Sequence, residues 1–269
     1  MFSIKKCILV AAASLMLTAC GTTSTVPITG RKHTLLVDDA QVLSLSKQQF
    51  NETMKSLTLS TNTTNTAIVK RVGQRLANAV ESYLKNNGLA NELKYYEWEF
   101  NLVKSNQVNA FCMPGGKIVV YEGMIPVAKD EASLAIVLGH EIAHAVAKHS
   151  AEQLSKQMRQ QYGTQILGAV LNKAAGANTA QLATALAQQG FSFANLKYSR
   201  DNETEADRMG LIFAAMAGYD PQTAIAFWQR MAAASTSQKA EILSDHPSDA
   251  TRIASLQKFM PEAMQYYKK

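Results

Sequence analysis

One stretch of this chain limits its possible folds more than any other: GHEIAH, Gly139 to His144, within a run of apolar residues. Positions i and i+4 of an α-helix share a face, so His140 and His144 can point at one site. The apolar residues lie on nearly all sides of this helix, which predicts that it is buried. Burying two imidazoles and the Glu141 carboxylate without partners would cost about 2–7 kcal/mol for each group. A bound cation would remove that cost.

The ligand types favour zinc in a catalytic arrangement. Two imidazole nitrogens and a carboxylate oxygen at about 2.0–2.2 Å leave one position open for water. Zinc lowers the pKa of such a water towards about 7, and Glu141 can accept its proton as general base. The pattern H-E-x-x-H is typical of zinc peptidases, whereas a purely structural zinc site would leave Glu141 without a task. We expect one zinc ion per chain.

A second predicted helix, starting near Ser199, contains the acidic stretch SRDNETEADRMG. Glu203 and Asp207 are again four residues apart on one face, whereas Glu205 points elsewhere. We predict that Glu203 is the third zinc ligand and that Asp207 accepts a hydrogen bond from a ligand histidine, which fixes its tautomer. Arg200 could hold one of these carboxylates. The alternative is that these acids form a solvated helix face.

The remaining patterns predict a mainly helical α+β domain. Apolar residues recur at helical spacing from about Asp38 to Leu84, with a polar break at 60–64, and indicate two helices. Tyr95 to Val103 and Lys117 to Tyr121 are β-like, so we expect a small antiparallel sheet beside the active-site helix. Asp130 is placed to cap that helix.

The N-terminus has the features of a bacterial secretion signal: a basic region, an apolar run too short to span a bilayer comfortably, and small residues. We assign residues 1–19 to this signal peptide, the polar residues 20–37 to a tether and 38–269 to the folded domain. The sequence LTAC at 17–20 resembles the lipobox of bacterial lipoproteins, which implies acylation of Cys20 and, since no aspartate follows it, an outer-membrane lipoprotein facing the periplasm. An ordinary cleaved signal with a chance cysteine is the alternative.

Charge and cysteine content restrict the partners further. The formal charge of +6 falls to +4 without residues 1–19, which carry two lysines and no acid. Because no Lys/Arg cluster with interleaved aromatics occurs, we expect no nucleic acid, while weak attraction to anionic lipid remains plausible. With Cys7 removed and Cys20 acylated, Cys112 stands alone, so no intramolecular disulfide can form. We interpret Cys112 as a small buried hydrophobe.

H-E-x-x-H at 140–144 and E-x-x-A-D at 203–207 together resemble the zinc metallopeptidases of family forty-eight, the group that includes the HtpX proteases and the CAAX prenyl endopeptidases. Segments VPITGRKHTLLV, NAFCMPGGKIVVYEGMI and SDHPSDATRIASL resemble periplasmic lipoprotein members of the LoiP-like and BepA-like kind. The resemblance thus covers nearly the whole mature chain. Cys112 and His33 depart from the small residue and the glutamine that are usual in relatives, and neither touches the inferred metal site. Unlike the HtpX proteases, this chain offers no transmembrane helix after the signal.

The resemblance implies a zincin-like metallopeptidase domain in which His140, His144 and Glu203 bind zinc, Glu141 is the general base and Asp207 supports a ligand. It further implies that the sheet segment Asn109 to Tyr121 lines the cleft as an edge strand and binds unfolded or flexible polypeptide through main-chain hydrogen bonds. The implied role is quality control of unfolded or misassembled envelope proteins. The alternative is a periplasmic chaperone or assembly factor for outer-membrane proteins, with latent protease activity in the same groove.

The remaining histidines, the segment 151–189 and the tryptophans and methionines lie outside the predicted ligand set. His246 either approaches the active site, steadying the oxyanion of the tetrahedral intermediate or occupying the open zinc position at rest, or only flanks a helix. Residues 151–189, rich in Ala and Gln, form either a mobile lid or packed surface helices. His149 lies five residues after the second ligand and is predicted to be solvated, and His33 lies in the predicted tether. Trp98, Trp228 and the methionines are predicted core residues.

Overall fold

The computed structural model describes residues 22–160, 188–237 and 250–268. The predicted signal peptide, Cys20, His246 and most of the segment 151–189 lie outside these ranges, and the roles proposed for them stay predictions.

The described residues form helices around two small sheets. The strands are β1 (Thr22–Thr25), β2 (Lys32–Leu35), β3 (Glu99–Val103), β4 (Ala110–Met113) and β5 (Lys117–Tyr121). The helices are α1 (Asp39–Ser56), α2 (Thr63–Asn86), α3 (Met124–Ala128), α4 (Glu131–Val146), α5 (149–160), α6 (Arg200–Met216), α7 (Thr223–Ser237) and α8 (Ala250–Met264). Short 3₁₀ helices cover Ala90–Tyr95 and Phe193–Asn195.

Side-chain caps define where the helices of the site begin. Asp130 accepts a hydrogen bond from the Ser133 backbone at 2.7 Å and starts α4, as the sequence predicts. Ser199 accepts from the Asn202 backbone at 3.2 Å and starts α6. These caps satisfy backbone N–H groups that have no partner inside the helix, so each helix has a fixed first turn.

The sheet beside the active-site helix is mixed. Its strand order is β3-β5-β4, with β5 parallel to β3 and antiparallel to β4. The α+β class is confirmed, but the pairing is not purely antiparallel. Of the predicted edge segment Asn109 to Tyr121, only β4 lies at the sheet edge, because β5 occupies the centre. The predicted strand from Tyr95 is shorter, since Tyr95 belongs to a 3₁₀ helix and β3 begins at Glu99.

Helix α4 is buried along its whole length after the first turn and crosses α6 at two glycines. A Cβ on Gly139 would lie 2.8 Å from the Gly210 carbonyl oxygen, and a Cβ on Gly210 would lie 2.8 Å from the His140 backbone nitrogen. Such distances are shorter than ordinary van der Waals contacts, so the two backbones meet directly only because both residues lack a side chain. This close crossing brings the acidic residues of α6 to the histidines of α4.

The segment predicted as a tether differs from that prediction. From residue 22 onward it is folded, with β1 and β2 paired as an antiparallel hairpin. Val26 is 1% exposed and packs in the main core, while Leu35 and Leu36 belong to a second core cluster. The apolar residues at the ends of this polar stretch are buried, and that burial attaches the segment to the domain.

Candidate metal centre and active site

Three side chains from two helices converge at the α4–α6 crossing. The Nε2 atoms of His140 and His144 are 3.0 Å apart. Glu203 places Oε2 3.4 Å from His140 Nε2 and Oε1 3.4 Å from His144 Nε2. Each of the three residues is less than 9% exposed. Together they form a buried group of three ligand atoms, all within 4.8 Å of one another.

This arrangement fits zinc in spacing and in charge. Ligand atoms at zinc–nitrogen distances and tetrahedral angles lie about 3.3 Å apart, close to the separations at this site. The site contains three buried carboxylates, those of Glu141, Glu203 and Asp207, and one buried guanidinium, that of Arg252, which pairs with Glu203 and Asp207. With neutral histidines, these four groups carry two negative charges. A divalent cation would balance them, which matters because buried charges are costly unless compensated.

Asp207 contacts the Nδ1 atom of His140, the ring nitrogen that points away from the other ligand atoms. Asp207 Oδ1 lies 2.8 Å from His140 Nδ1 and also accepts a hydrogen bond from Arg252 Nη2 at 2.5 Å. The Arg252 guanidinium in turn stacks on the Trp228 ring, 3.4 Å from its centroid. Burial and the Arg252 charge lower the pKa of His140, but the carboxylates of Asp207 and Glu203 outweigh them and raise it to about 9. The site thus attracts positive charge at His140, which either a proton or a metal ion can supply.

Glu141 lies on the same helix and is 2% exposed. Burial and the Glu141 charge raise the pKa of the Cys112 thiol well above its usual value, so Cys112 stays protonated, in agreement with its prediction as a small buried hydrophobe. Burial raises the pKa of Tyr198, and the negative charge of Glu141 raises it further. The Tyr198 ring stacks on His144 at 4.0 Å between centroids.

The Nδ1 atom of His144 contacts a histidine, whereas the Nδ1 atom of His140 contacts a carboxylate. His149 is 0% exposed, and its Nδ1 lies 2.9 Å from His144 Nδ1. Its Nε2 lies 2.9 Å from Glu205 Oε2. The prediction that His149 is solvated is therefore wrong. Glu205 does point away from the ligand atoms, as predicted, but it contacts His149 instead of solvent.

The N-terminal segment contacts the far side of Glu205. Thr29 Oγ1 donates to Glu205 Oε1 at 2.5 Å, and Arg31 Nε donates to Oε2 at 2.7 Å. Burial raises the pKa of Glu205, but the hydrogen bonds from His149, Thr29 and Arg31 outweigh it and lower the pKa to about 2. Burial lowers the pKa of His149, and this effect exceeds the opposite effect of its contact with Glu205. At neutral pH an ionised Glu205 thus faces a neutral His149.

A second group of contacts continues outward from Arg31. Arg31 also pairs with Glu152 at 2.7 Å, and His33 Nδ1 lies 2.6 Å from the same carboxylate. His33 Nε2 is 2.5 Å from Ser24 Oγ. His33 is thus buried in a polar cluster on the outer side of α5 and does not reach the metal centre.

The structure brings together all the described residues that the sequence analysis assigns to the site: His140, Glu141, His144, Glu203 and Asp207. The expected partner Arg200 is exposed, and Arg252 contacts Asp207 in its place. Sequence reasoning also missed His149. The prediction continued α4 past Val146, whereas the helix breaks at Lys148. The only sequence signal for Arg252 is its position six residues after His246, and that position does not tell where its side chain points.

Comparisons of the amino-acid sequence identify known proteins that are similar to this chain. The profile described as "Peptidase family M48" matches residues 65–260. The chain is 37% identical over 171 residues to mitochondrial metalloendopeptidase OMA1 of Schizosaccharomyces pombe, covering 62% of this chain and 48% of that protein. It is 30% identical over 245 residues to the human mitochondrial metalloendopeptidase OMA1, covering 88% and 46%. It is 30% identical over 161 residues to the beta-barrel assembly-enhancing protease of Escherichia coli, covering 58% and 33%.

The chain spans about half or less of the length of these three relatives. Among the helices in the described ranges, none combines the length and the apolar character needed to cross a bilayer.

Proposed function

Because this chain belongs to peptidase family M48, a family of zinc-dependent metallopeptidases, we propose that it is an endopeptidase acting on unfolded or misassembled envelope proteins. The observation that carries the proposal is the convergence of His140, His144 and Glu203 at one buried point, with Glu141 on the same helix. A site built for structure alone would have no use for a buried carboxylate in this position.

Each residue has a distinct task in the proposed reaction. His140, His144 and Glu203 would hold zinc, which supplies Lewis-acid chemistry by lowering the pKa of a coordinated water and polarising the scissile carbonyl. Glu141 accepts the proton of the attacking water and returns it to the leaving amine nitrogen. Asp207 keeps a hydrogen on Nδ1 of His140, which would leave Nε2 free to bind the metal.

The preference for unfolded polypeptide is supported by the sheet edge. β4 lies at the edge of its sheet and packs against α4, the helix that carries the zinc-binding histidines. Its four residues are buried and the 3₁₀ helix Phe193–Asn195 contacts it, so the edge must be uncovered before a polypeptide can pair with it. An extended polypeptide can pair with such an edge through main-chain hydrogen bonds, which require few particular side chains. We therefore expect loose sequence preference, and cleavage of a protein in its chemically unfolded form but not in its native form.

The proposed location follows from the N-terminal sequence. Residues 1–20 have the pattern of a lipoprotein signal, which supports acylation of Cys20, palmitate included, and attachment to the outer membrane on its periplasmic side. The similarity to the beta-barrel assembly-enhancing protease supports an envelope substrate. Relatives named as mitochondrial show that the catalytic domain alone does not fix a location. The mild positive charge favours contact with anionic lipid, and the lack of a Lys/Arg cluster with interleaved aromatics argues against nucleic-acid binding.

The test is zinc content and proteolysis in the full chain, purified in detergent, as wild type and as Glu141→Gln. Glutamine keeps the shape of the side chain but cannot accept the proton. We expect one zinc per chain in both proteins by elemental analysis, and cleavage of an unfolded protein only by the wild type. Cleavage by Glu141→Gln at the wild-type rate would contradict the mechanism, and a folded wild type without zinc would contradict the metal site.

A second candidate is a chaperone or assembly factor for outer-membrane proteins in which proteolysis is latent. The name of the Escherichia coli relative, beta-barrel assembly-enhancing protease, favours this candidate. Both functions would use the same groove. They differ in one result: a chaperone would still support assembly of outer-membrane proteins as Glu141→Gln, whereas a protease would not.

A further inference from the structure

His149 connects one predicted zinc ligand to the N-terminal segment. It is fully buried, lies 2.9 Å from His144 through Nδ1 and 2.9 Å from Glu205 through Nε2. Glu205 accepts hydrogen bonds from Thr29 and Arg31 on its other side. A continuous row of contacts therefore runs from the metal centre to residues 29–31, and each contact in it has hydrogen-bond length.

A break in the helix puts His149 in this position. α4 ends at Val146, and Lys148 adopts the left-handed φ of 57° before α5 starts at residue 149. In a continuous helix, a residue five positions after His144 would point to a different side. The Lys148 side chain is held by Asp39 at 2.8 Å and Glu92 at 2.9 Å, contacts that help to keep this unusual backbone conformation in place.

The hydrogen bonds are consistent with only one arrangement of protons when His144 binds a metal through Nε2. Its Nδ1 must then carry the hydrogen, which it donates to His149 Nδ1. His149 Nδ1 accepts, so the hydrogen of the neutral ring sits on Nε2 and is donated to Glu205 Oε2. Thr29 and Arg31 act only as donors to Glu205, so the carboxylate is an acceptor towards all three partners.

We propose that His149 is a positioning residue of the zinc site, which fixes His144 in the orientation and tautomer that coordinate metal through Nε2. Glu205 orients His149, and Thr29 and Arg31 hold Glu205, so the N-terminal segment is the outermost part of the metal site. Zinc affinity depends on this row of contacts. The inference rests on the proposed function only in taking His144 as a zinc ligand.

The experiment compares zinc affinity in three variants of the full chain in detergent, by competition with a chromophoric chelator. His149→Leu keeps the volume but removes both hydrogen bonds, whereas in His149→Gln the amide can still accept from His144 and donate to Glu205. His33→Leu is the matched control, because His33 is also buried and contacts a glutamate, Glu152, but does not touch Glu205. We expect about 10–100-fold weaker zinc binding in His149→Leu, as for other residues that support metal ligands. His149→Gln and His33→Leu should both retain most of the affinity, since Arg31 keeps its own contact with Glu205 when His33 is lost.

A spectroscopic readout separates positioning from general support of the fold. In zinc-loaded protein with ¹⁵N-labelled histidines, NMR should find the hydrogen on Nδ1 of His144 and on Nε2 of His149. Glu205→Gln, which keeps the contacts with Thr29 and Arg31 within reach, provides a second variant if His149→Leu does not fold, and it should also weaken zinc binding.

Three results would overturn the proposal: unchanged zinc affinity in His149→Leu or Glu205→Gln, an equal loss in His33→Leu, or a hydrogen on Nδ1 of His149. Failure of the proposed function looks different. A wild type that binds zinc with the predicted tautomers but cleaves no unfolded protein contradicts the protease and leaves the role of His149 supported.

Discussion

At the level of single residues, the two predicted histidine ligands have different supports. Asp207 contacts His140 directly and is itself paired with the buried Arg252. His144 is supported through a second histidine. A carboxylate behind a ligand strengthens the basicity of the imidazole and fixes its tautomer, so loss of either support should weaken metal binding.

The Asp207 contact predicts the effect of an isosteric change. Asp207→Asn removes the charge that faces His140 and Arg252, and it should weaken zinc binding and reduce peptide cleavage by about 10–100-fold. Asp201→Asn is the control, since Asp201 is exposed on the same helix. Chelator competition and a cleavage assay would measure both variants. Equal zinc affinity in Asp207→Asn and Asp201→Asn would show that Asp207 does not support the ligand.

Residue patterns predicted the ligands because their positions follow from helix geometry alone. His140 and His144 share a face in any helix, and so do Glu203 and Asp207. His149 could not be placed this way, since the left-handed residue that returns it to the site is Lys148, where neither glycine nor proline marks a break. The contact of Thr29 with Glu205 joins residues 176 positions apart, and no local pattern encodes it.

At the level of elements, the crossing of α4 and α6 determines whether the ligands meet. Gly139 and Gly210 let the two backbones touch, and the ligands lie within two turns of that contact. Neither glycine has a positive φ, so the reason for glycine here is space and not backbone conformation.

The crossing predicts that Gly210→Ala affects the metal site as well as stability. Its Cβ would lie 2.8 Å from the His140 backbone nitrogen, so the helices must move apart, at a cost of about 1–3 kcal/mol. We expect a lower melting temperature and at least several-fold weaker zinc binding. Gly73→Ala is the control, because its Cβ would collide with the Phe100 ring, at 2.2 Å, in another part of the core. If both variants lower stability and neither changes zinc affinity, the crossing does not position the ligands.

Individual helices were predictable, while strand pairing was not. Asp130 caps α4 as predicted, and the helices predicted to start near Asp38 and Ser199 begin directly after those residues, which cap them. The parallel pairing of β3 with β5 depends on the path of the chain between them, through β4, and alternation within a strand does not specify a partner.

At the level of the whole molecule, acid should detach the N-terminal segment. Burial raises the pKa of Glu152, but hydrogen bonds from His33 and Arg31 outweigh it and lower the pKa below its usual value of 4.5. A carboxylate with a lowered pKa in the folded state stabilises the fold above the unfolded-state pKa, and this stabilisation is lost as pH falls through the folded-state value.

We therefore expect the melting temperature of the zinc-free protein to fall as pH decreases below about 4.5. Glu152→Gln, which cannot be ionised, should be less stable than the wild type at pH 7 and show a flatter dependence between pH 5 and pH 3. Calorimetry over this range measures both. Parallel curves for the two proteins would mean that Glu152 does not hold the segment through its charge.

The folded state of residues 22–37 also changes how the proposed anchor works. A tether of residues 20–37 could extend about 60 Å, but because β1 begins at Thr22, only about 7 Å of chain separates its first residue from Cys20. A flexible linker of about 20 residues inserted before Thr22 should let the enzyme cleave segments far from the bilayer that the wild type leaves intact, and no change in the cleaved segments would contradict this. Held so close to the lipid, the protease would select its substrates by their height above the membrane.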